Sequence, residues 1–204
     1  MHPAKPFRET DPERLAALVA DVGLALVIGV ADGRPRVAHA PVLLEGRRLR
    51  FHLSRANPLA AALETQPHAL AVVTGPQAYV SPDWYGLPDQ VPTWNYLSAE
   101  IEGPLRRLDD GEATALLDDL SAAFEAKLAP KPAWTRAKMS PGRFEAMLGG
   151  ITAFEMTIER LEGVRKLGQN KPEAAQAALA EALATVGGED ATALARMMVA
   201  DLGL

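Results

Sequence analysis

The chain has 204 residues, 48% of them apolar, which suffices for one substantial core, and it carries no cysteine, so disulfides, thiolate catalysis and Cys-ligated zinc or iron–sulfur sites are excluded. Its 21 lysines and arginines stand against 26 aspartates and glutamates, a formal net charge of -5. DNA-binding surfaces are ordinarily basic, so nucleic-acid binding would need a local patch such as Arg34 and Arg36, or Arg47, Arg48 and Arg50.

The opening MHPAKPFRETDPERL lacks the apolar stretch of a signal peptide, no run is long enough to cross a bilayer, and the cytoplasm is the expected location. Thr10 and Glu13 have capping-box spacing and Pro12 suits a first turn, which predicts an amphipathic helix over 11–22. LALVIGVA (24–31) reads as a strand, Asp32-Gly33 as a hairpin turn, RPRVAHAPVLL as a second strand, Glu45-Gly46 as a turn and RRLRFHL as a third strand. Period-two alternation puts Leu49, Phe51 and Leu53 on one face of that third strand, and Arg48, Arg50, His52 and Ser54 on the other.

A short helix is expected over 58–64, then a fourth strand over 68–81, broken near Gly75-Pro76. PDWYGLPDQVPTWNY reads as an ordered loop entering the strand WNYLSAEIEGPLRRL. A long helix follows over 110–128, then a short one in SPGRFEAMLGG capped by Ser140, one long strand in ITAFEMTIERLEGV, and two Ala-rich helices over 172–204 divided by Gly187-Gly188. Strands joined mostly by hairpins predict a mainly β fold with peripheral α-helices, a closed or split antiparallel barrel and not a βαβ fold. The expected division is a barrel domain over 1–170, with a helical insertion near 110–148, and a C-terminal helical extension over 171–204 packed on it.

Three stretches combine polar chemistry with an awkward backbone setting. In FHLSRANP, His52, Ser54, Arg55 and Asn57 gather where a strand gives way to a helix, which suits a phosphate; the plainer reading is Asn57 as an N-cap before Pro58 with the others on a solvated face. In VPTWNY, Thr93, Trp94, Asn95 and Tyr96 could grip a planar heterocycle, or simply pack at a barrel rim. In RKLGQNKP, Lys166, Gln169, Asn170 and Lys171 offer cations and amides to a ligand, or form a turn ending at Pro172. His2, His39, His52 and His68 have no zinc-binding spacing, so no metal is expected, and no nucleophile elbow, phosphate loop or recognition helix is evident.

Read together and in this order, KPFRETDP, HLSRANP, YVSPDWY, VPTWNY and RLEGVRKLGQNKP resemble the PaiB family, described as FMN-binding negative transcriptional regulators. The resemblance spans about residues 3 to 180 and implies an FMN-binding split β-barrel, similar to the pyridoxamine-phosphate oxidase group, acting as a homodimer with flavin near the subunit interface. Carried over by position, His39, Ala40 and Pro41 would meet the isoalloxazine ring, His52, Leu53, Ser54 and Asn57 would hold phosphate and ribityl, and Trp94, Asn95, Lys166, Gln169 and Asn170 would line the pocket. The sequence departs from the family pattern at Val164, Gly168 and Glu100, where Trp, Ser and His are common.

The resemblance implies a flavin-dependent regulator acting on DNA or on a regulatory protein partner. Two alternatives stand beside it: a flavin oxidoreductase using NAD(P)H, and a flavin-free barrel serving as a protein-interaction module. Heme in the same cleft, with His39 or His52 as axial ligand, is a lesser alternative. Direct DNA binding ranks lowest on charge, and a membrane partner is not expected.

Overall fold

Side-chain alternation along short strands sets the architecture, seen here in a computed structural model that describes residues 3 to 203. The strands are β1 (Arg8–Glu9), β2 (Leu24–Ala31), β3 (Arg34–Glu45), β4 (Arg48–Ser54), β5 (His68–Val80), β6 (Thr93–Arg107), β7 (Ile151–Thr157) and β8 (Arg160–Lys166). The α-helices are α1 (Pro12–Val22), α2 (Pro58–Thr65), α3 (Asp110–Ala126), α4 (Arg143–Leu148), α5 (Glu173–Val186) and α6 (Glu189–Leu202). The hydrogen-bonded order is β1-β8-β6-β5-β2-β3-β4-β7, and β7 pairs again with β6, so six strands close into a ring. This is the mainly β, antiparallel barrel with peripheral helices that the hairpin pattern predicts. The chain forms two compact units, one of residues 19–73 and 100–161, the other of residues 1–18, 74–99 and 162–204.

In the first unit, Asp32 and Gly33 both take positive φ (54° and 68°), the geometry that lets a two-residue turn match the twist of β2 and β3. Val27, Val42, Leu49, Phe51, Phe154 and Met156 are buried. Phe51 lies opposite Phe154 across β4 and β7, with ring centroids 5.6 Å apart. Gly29 admits Leu59 and Leu63 of α2, since a Cβ there would lie 2.9 Å from each side chain. Helix α3 begins with a reciprocal capping box, in which Asp109 accepts the Glu112 N–H at 2.8 Å and Glu112 accepts the Asp109 N–H at 3.1 Å. It packs Leu116 and Leu120 with Leu108 and Ala153.

The ring closes where β6 meets β7, with Leu105, Arg106 and Arg107 opposite Met156, Glu155 and Phe154. Glu155 is buried, and its carboxylate accepts from Arg106 Nε at 2.9 Å; Arg106 also reaches Glu112 at 2.9 Å. Beside this seam, a Cβ on Gly103 would lie 2.0 Å from the Thr157 carbonyl oxygen.

In the second unit, β1 pairs with β8 through Arg8 opposite Val164 and Glu9 opposite Gly163. Its core joins Val80, Tyr85, Leu97 and Leu167 to Leu179 and Leu183 of α5 and to Leu194 and Met198 of α6. Arg165 ties β8 to Asp201 of α6 at 2.9 Å.

Four local expectations are corrected. Strand β5 runs unbroken through Gly75-Pro76; the glycine serves close packing, since a Cβ there would lie 2.7 Å from Leu18, and does not end the strand. The run from Ile151 to Val164 is two strands, because the chain changes partners: the Ile158 N–H bonds the Arg47 carbonyl and the Glu159 N–H the Glu102 carbonyl, both at 2.9 Å. Asp11, not Thr10, caps α1, accepting the Glu13 N–H at 2.9 Å. Helix α4 starts from Gly142 in a left-handed conformation (φ 73°), with no cap from the Ser140 side chain.

Gly103→Ala should destabilise the protein by about 1–3 kcal/mol or more, since backbone and not a flexible side chain occupies the Cβ position. Urea unfolding checks this, and a midpoint equal to wild type would contradict the closeness of the seam.

Candidate functional site

The corner after β4 is built by local hydrogen bonds. Ser54 is exposed, and its carbonyl accepts the Asn57 N–H at 2.9 Å. Asn57 Oδ1 accepts the Leu59 N–H at 2.9 Å, and its carbonyl accepts the Ala60 N–H at 2.9 Å. Asn57 is therefore the N-cap of α2, and the N–H groups of Leu59 and Ala60 are already engaged. The Arg55 N–H bonds the Gly150 carbonyl at 2.9 Å, and its guanidinium bonds the Ile151 carbonyl at 3.1 Å. Arg55 also lines a cleft of about 190 Å³ with Thr152, Glu64 and Arg107, where Arg107 and Glu64 pair at 2.8 Å. The chemistry the corner has left for an anion is the Ser54 hydroxyl and the Arg55 guanidinium, a donor set that fits a phosphomonoester. Leu53 faces the core and offers only its backbone.

His52, two residues earlier on the same face of β4, lines a different recess, beneath α3 and α4. Its Nδ1 is shut off from solvent and has no hydrogen-bond partner, and burial pushes the imidazole pKa below its ordinary value. The facing titratable groups are Asp118 and Arg136, which pair with each other at 3.0 Å. The structure thus separates His52 from the Ser54–Arg55 donor pair. The recess also holds residues that the strand-to-helix reading missed; their sequence signal is the density of Trp134, Met139, Phe144 and Met147 between the long helix and the strand that begins at Ile151.

The outward face of β2, β3 and β5 is apolar and partly exposed. Register places Leu24 opposite Pro41, Leu26 opposite His39, Ile28 opposite Val37 and Val30 opposite Pro35, with Leu70 and Val72 continuing the face on β5. Leu24, Val30 and Val37 are 48%, 44% and 55% exposed. His39 and Pro41 belong to this face; Ala40 points into the core.

The other candidates lie in the second unit. Asn95 is fully buried on β6, and neither its amide nitrogen nor its oxygen has a partner, a costly state for a polar group. Lys166 Nζ donates to the Thr93 hydroxyl at 2.5 Å and lies 5.7 Å from the Phe7 ring centroid, and burial lowers its pKa. Gln169 is spent on structure: its side chain accepts the Leu167 N–H and donates to the Pro6 and Arg165 carbonyls. Trp94 and Asn170 are exposed, and Trp94 stands edge-on to Tyr79 at 6.2 Å. Of the family departures, Val164 is buried, Gly168 holds a positive φ of 78°, and the Glu100 carboxylate pairs with Arg160 at 3.0 Å. Burial works against the charged Glu100, yet hydrogen bonding from Arg160 leads the contributions that hold its pKa below the usual range.

The basic patches divide similarly. Arg50 is bound by Glu45 and Asp119 at 2.9 and 2.8 Å, Arg48 lies 3.7 Å from Glu155, and Arg47 bonds the Ile158 carbonyl at 2.7 Å. Arg34 and Arg36 are exposed beside the β2–β3 turn. No helix among the described residues is long and apolar enough to cross a membrane.

Comparison with known proteins gives concordant matches. Residues 1–160 match the family described as "Putative FMN-binding domain". The chain is 27% identical over 202 residues to Protease synthase and sporulation protein PAI 2 of Bacillus subtilis (strain 168), covering 97% of this chain and 96% of that one. The FAD and heme binding protein from Mycobacterium smegmatis matches with a TM-score of 0.60 at 24% identity, over 79% of this chain and 74% of that one. The flavocytochrome Anf3 from Azotobacter vinelandii matches with a TM-score of 0.65 at 18% identity, over 82% and 73%. At these identities the two solved structures speak to the fold alone.

The buried imidazole has a pH consequence. Because its folded pKa is depressed, the unfolded chain binds the proton more readily, so the contribution of His52 is present above about pH 6.5 and is lost as the pH falls through the folded pKa. The fall in thermal midpoint between pH 7.5 and pH 5 should be steeper for wild type than for His52→Leu. Parallel curves would contradict the burial.

Proposed function

This chain belongs to the FMN-binding-domain family and FMN is its cofactor; on that premise we propose that it is a flavin-dependent regulator that works as a homodimer. The observation that carries the reading is a phosphate-type donor pair, Ser54 and Arg55, in the same unit as a partly exposed apolar sheet face. The phosphate sits at the corner, held by the Ser54 hydroxyl, the Arg55 guanidinium and the backbone at Leu53, while Asn57 keeps the corner in shape by capping α2. The isoalloxazine lies along β3 against His39 and Pro41 and the backbone of Ala40. On the family resemblance, Trp94, Lys166 and Asn170 come to the flavin from the partner subunit, while Asn95, which is buried, and Gln169, which is held by its own hydrogen bonds, shape the backbone beside them. When bound, FMN supplies one- and two-electron chemistry; the protein supplies binding and orientation.

A second copy of the chain is the natural cover for the β2–β3–β5 face, since exposed apolar area of this extent marks an interaction surface. A regulatory protein partner is favoured over direct DNA binding, because Arg47, Arg48 and Arg50 are occupied by local carboxylates and a carbonyl, leaving Arg34 and Arg36 exposed. The name of the Bacillus subtilis relative, a protease synthase and sporulation protein, supports a regulatory over a metabolic reading.

Loss of two charge-assisted hydrogen bonds in the double variant Ser54→Ala, Arg55→Gln should weaken FMN binding by about 2–5 kcal/mol, roughly thirtyfold or more. Flavin fluorescence quenching measures it, and unchanged affinity would remove the corner from the site. In the same preparations, Val37→Asp should turn a sedimenting dimer into a monomer; a monomeric wild type would refute the dimer. Rapid NADH or NADPH oxidation by the FMN-loaded protein would make it an oxidoreductase and overturn the regulatory reading.

A further inference from the structure

We propose that the recess beneath α3 and α4 is a binding site for an uncharged, planar small molecule that carries a hydrogen-bond acceptor, with His52 as its donor. This rests on the fold of one unit and not on the flavin reading. The recess has a volume of about 290 Å³, near the lower end of small-molecule pockets, roughly 300–1,000 Å³, and suited to two fused rings. Its lining includes the aromatic Trp134 and Phe144, the flexible Met139 and Met147, and the aliphatic Leu117 and Leu148. Methionines adapt to irregular ligands, and aromatic walls favour planar ones.

Charge selects the ligand class. Among the described residues, the charged side chains of the lining are Asp118 and Arg136, which pair with each other at 3.0 Å, and the Arg136 guanidinium lies 5.1 Å from the Phe144 ring centroid. No free cation remains to receive a phosphate or carboxylate, and desolvating an unpaired anion here would be costly. The Ser121 hydroxyl already donates to the Leu117 carbonyl at 2.7 Å. At His52, Nδ1 is buried with no hydrogen-bond partner, which leaves Nε2 as the ring nitrogen a ligand can reach, a donor in the tautomer that carries the proton there. A ligand carbonyl answers it. Trp134 and Met147, at 38% and 56% exposure, are accessible for entry.

The test is a titration of the full chain with prodan, a neutral aminonaphthalene ketone whose emission brightens and moves to the blue in apolar surroundings. Saturation at one prodan per chain is expected. Met147→Trp, an exposed position that tolerates the larger side chain, should fill the recess and weaken prodan about tenfold or more, with FMN affinity measured in the same samples unchanged. His52→Leu should weaken prodan but not N-phenylnaphthylamine, which lacks the carbonyl. Non-saturable binding, prodan affinity indifferent to Met147→Trp, or displacement of prodan by FMN would each overturn the proposal. The FMN arm reads separately, so failure of the flavin site would show there alone.

Discussion

The closure of β7 between β4 and β6 is the constraint on which the rest depends. On one side, Arg106 faces Glu155 and brings its guanidinium to a buried carboxylate at 2.9 Å. On the other, β4 is locked in register, with Phe51 opposite Phe154, His52 opposite Ala153 and Ser54 opposite Ile151. A one-residue slip would send His52 and Ser54 into the core and bring Phe51 and Leu53 out, so the seam determines which groups reach the surface at the corner. Removing Arg106 would leave the buried Glu155 carboxylate with Arg48 alone, at 3.7 Å, a longer contact than the one lost.

The outward face of the same sheet then divides by what covers it. Helix α3 lies over the β4 and β7 end, packing on Ala153 and reaching Arg50 through Asp119. The β2, β3 and β5 end carries Leu24, Val30 and Val37 exposed, with Leu26 and Ile28 partly buried between them. His39 sits among those apolar neighbours, His52 lies under the helices, and Ser54 and Arg55 stand exposed at the corner. One sheet face therefore offers three environments within a few residues: an apolar platform, a largely apolar recess whose charges are paired, and an exposed corner with a hydroxyl and a guanidinium. A cofactor with a planar ring and a phosphate has use for the first and the third.

Strand alternation was the legible part of the sequence. Leu49, Phe51 and Leu53 are buried and Arg48, Arg50, His52 and Ser54 lie opposite, as period two requires. The two Ala-rich helices divided by Gly187-Gly188 were equally plain, because two glycines at positive φ leave no other local solution. The break after Thr157 was not legible, since Glu159 and Arg160 continue the alternation and only tertiary carbonyls, those of Arg47 and Glu102, show that the chain changes partners. Nor could local sequence divide His52 from Ser54: both share a face of β4, and what differs is a helix that arrives nearly sixty residues later. The corner proposed for the phosphate was legible in its residue types, but its capping was not, because the Leu59 and Ala60 N–H groups of α2 are taken by Asn57 itself.

The central claim is that the corner of Ser54 and Arg55 recognises the phosphate of FMN, and the most direct measurement is a calorimetric titration of the purified wild-type chain with FMN and, in parallel, with riboflavin. The account predicts saturable FMN binding that is stronger than riboflavin binding by at least about tenfold, the equivalent of one charge-assisted hydrogen bond. Equal affinities would show that the ring alone is held and that the corner serves only to cap α2.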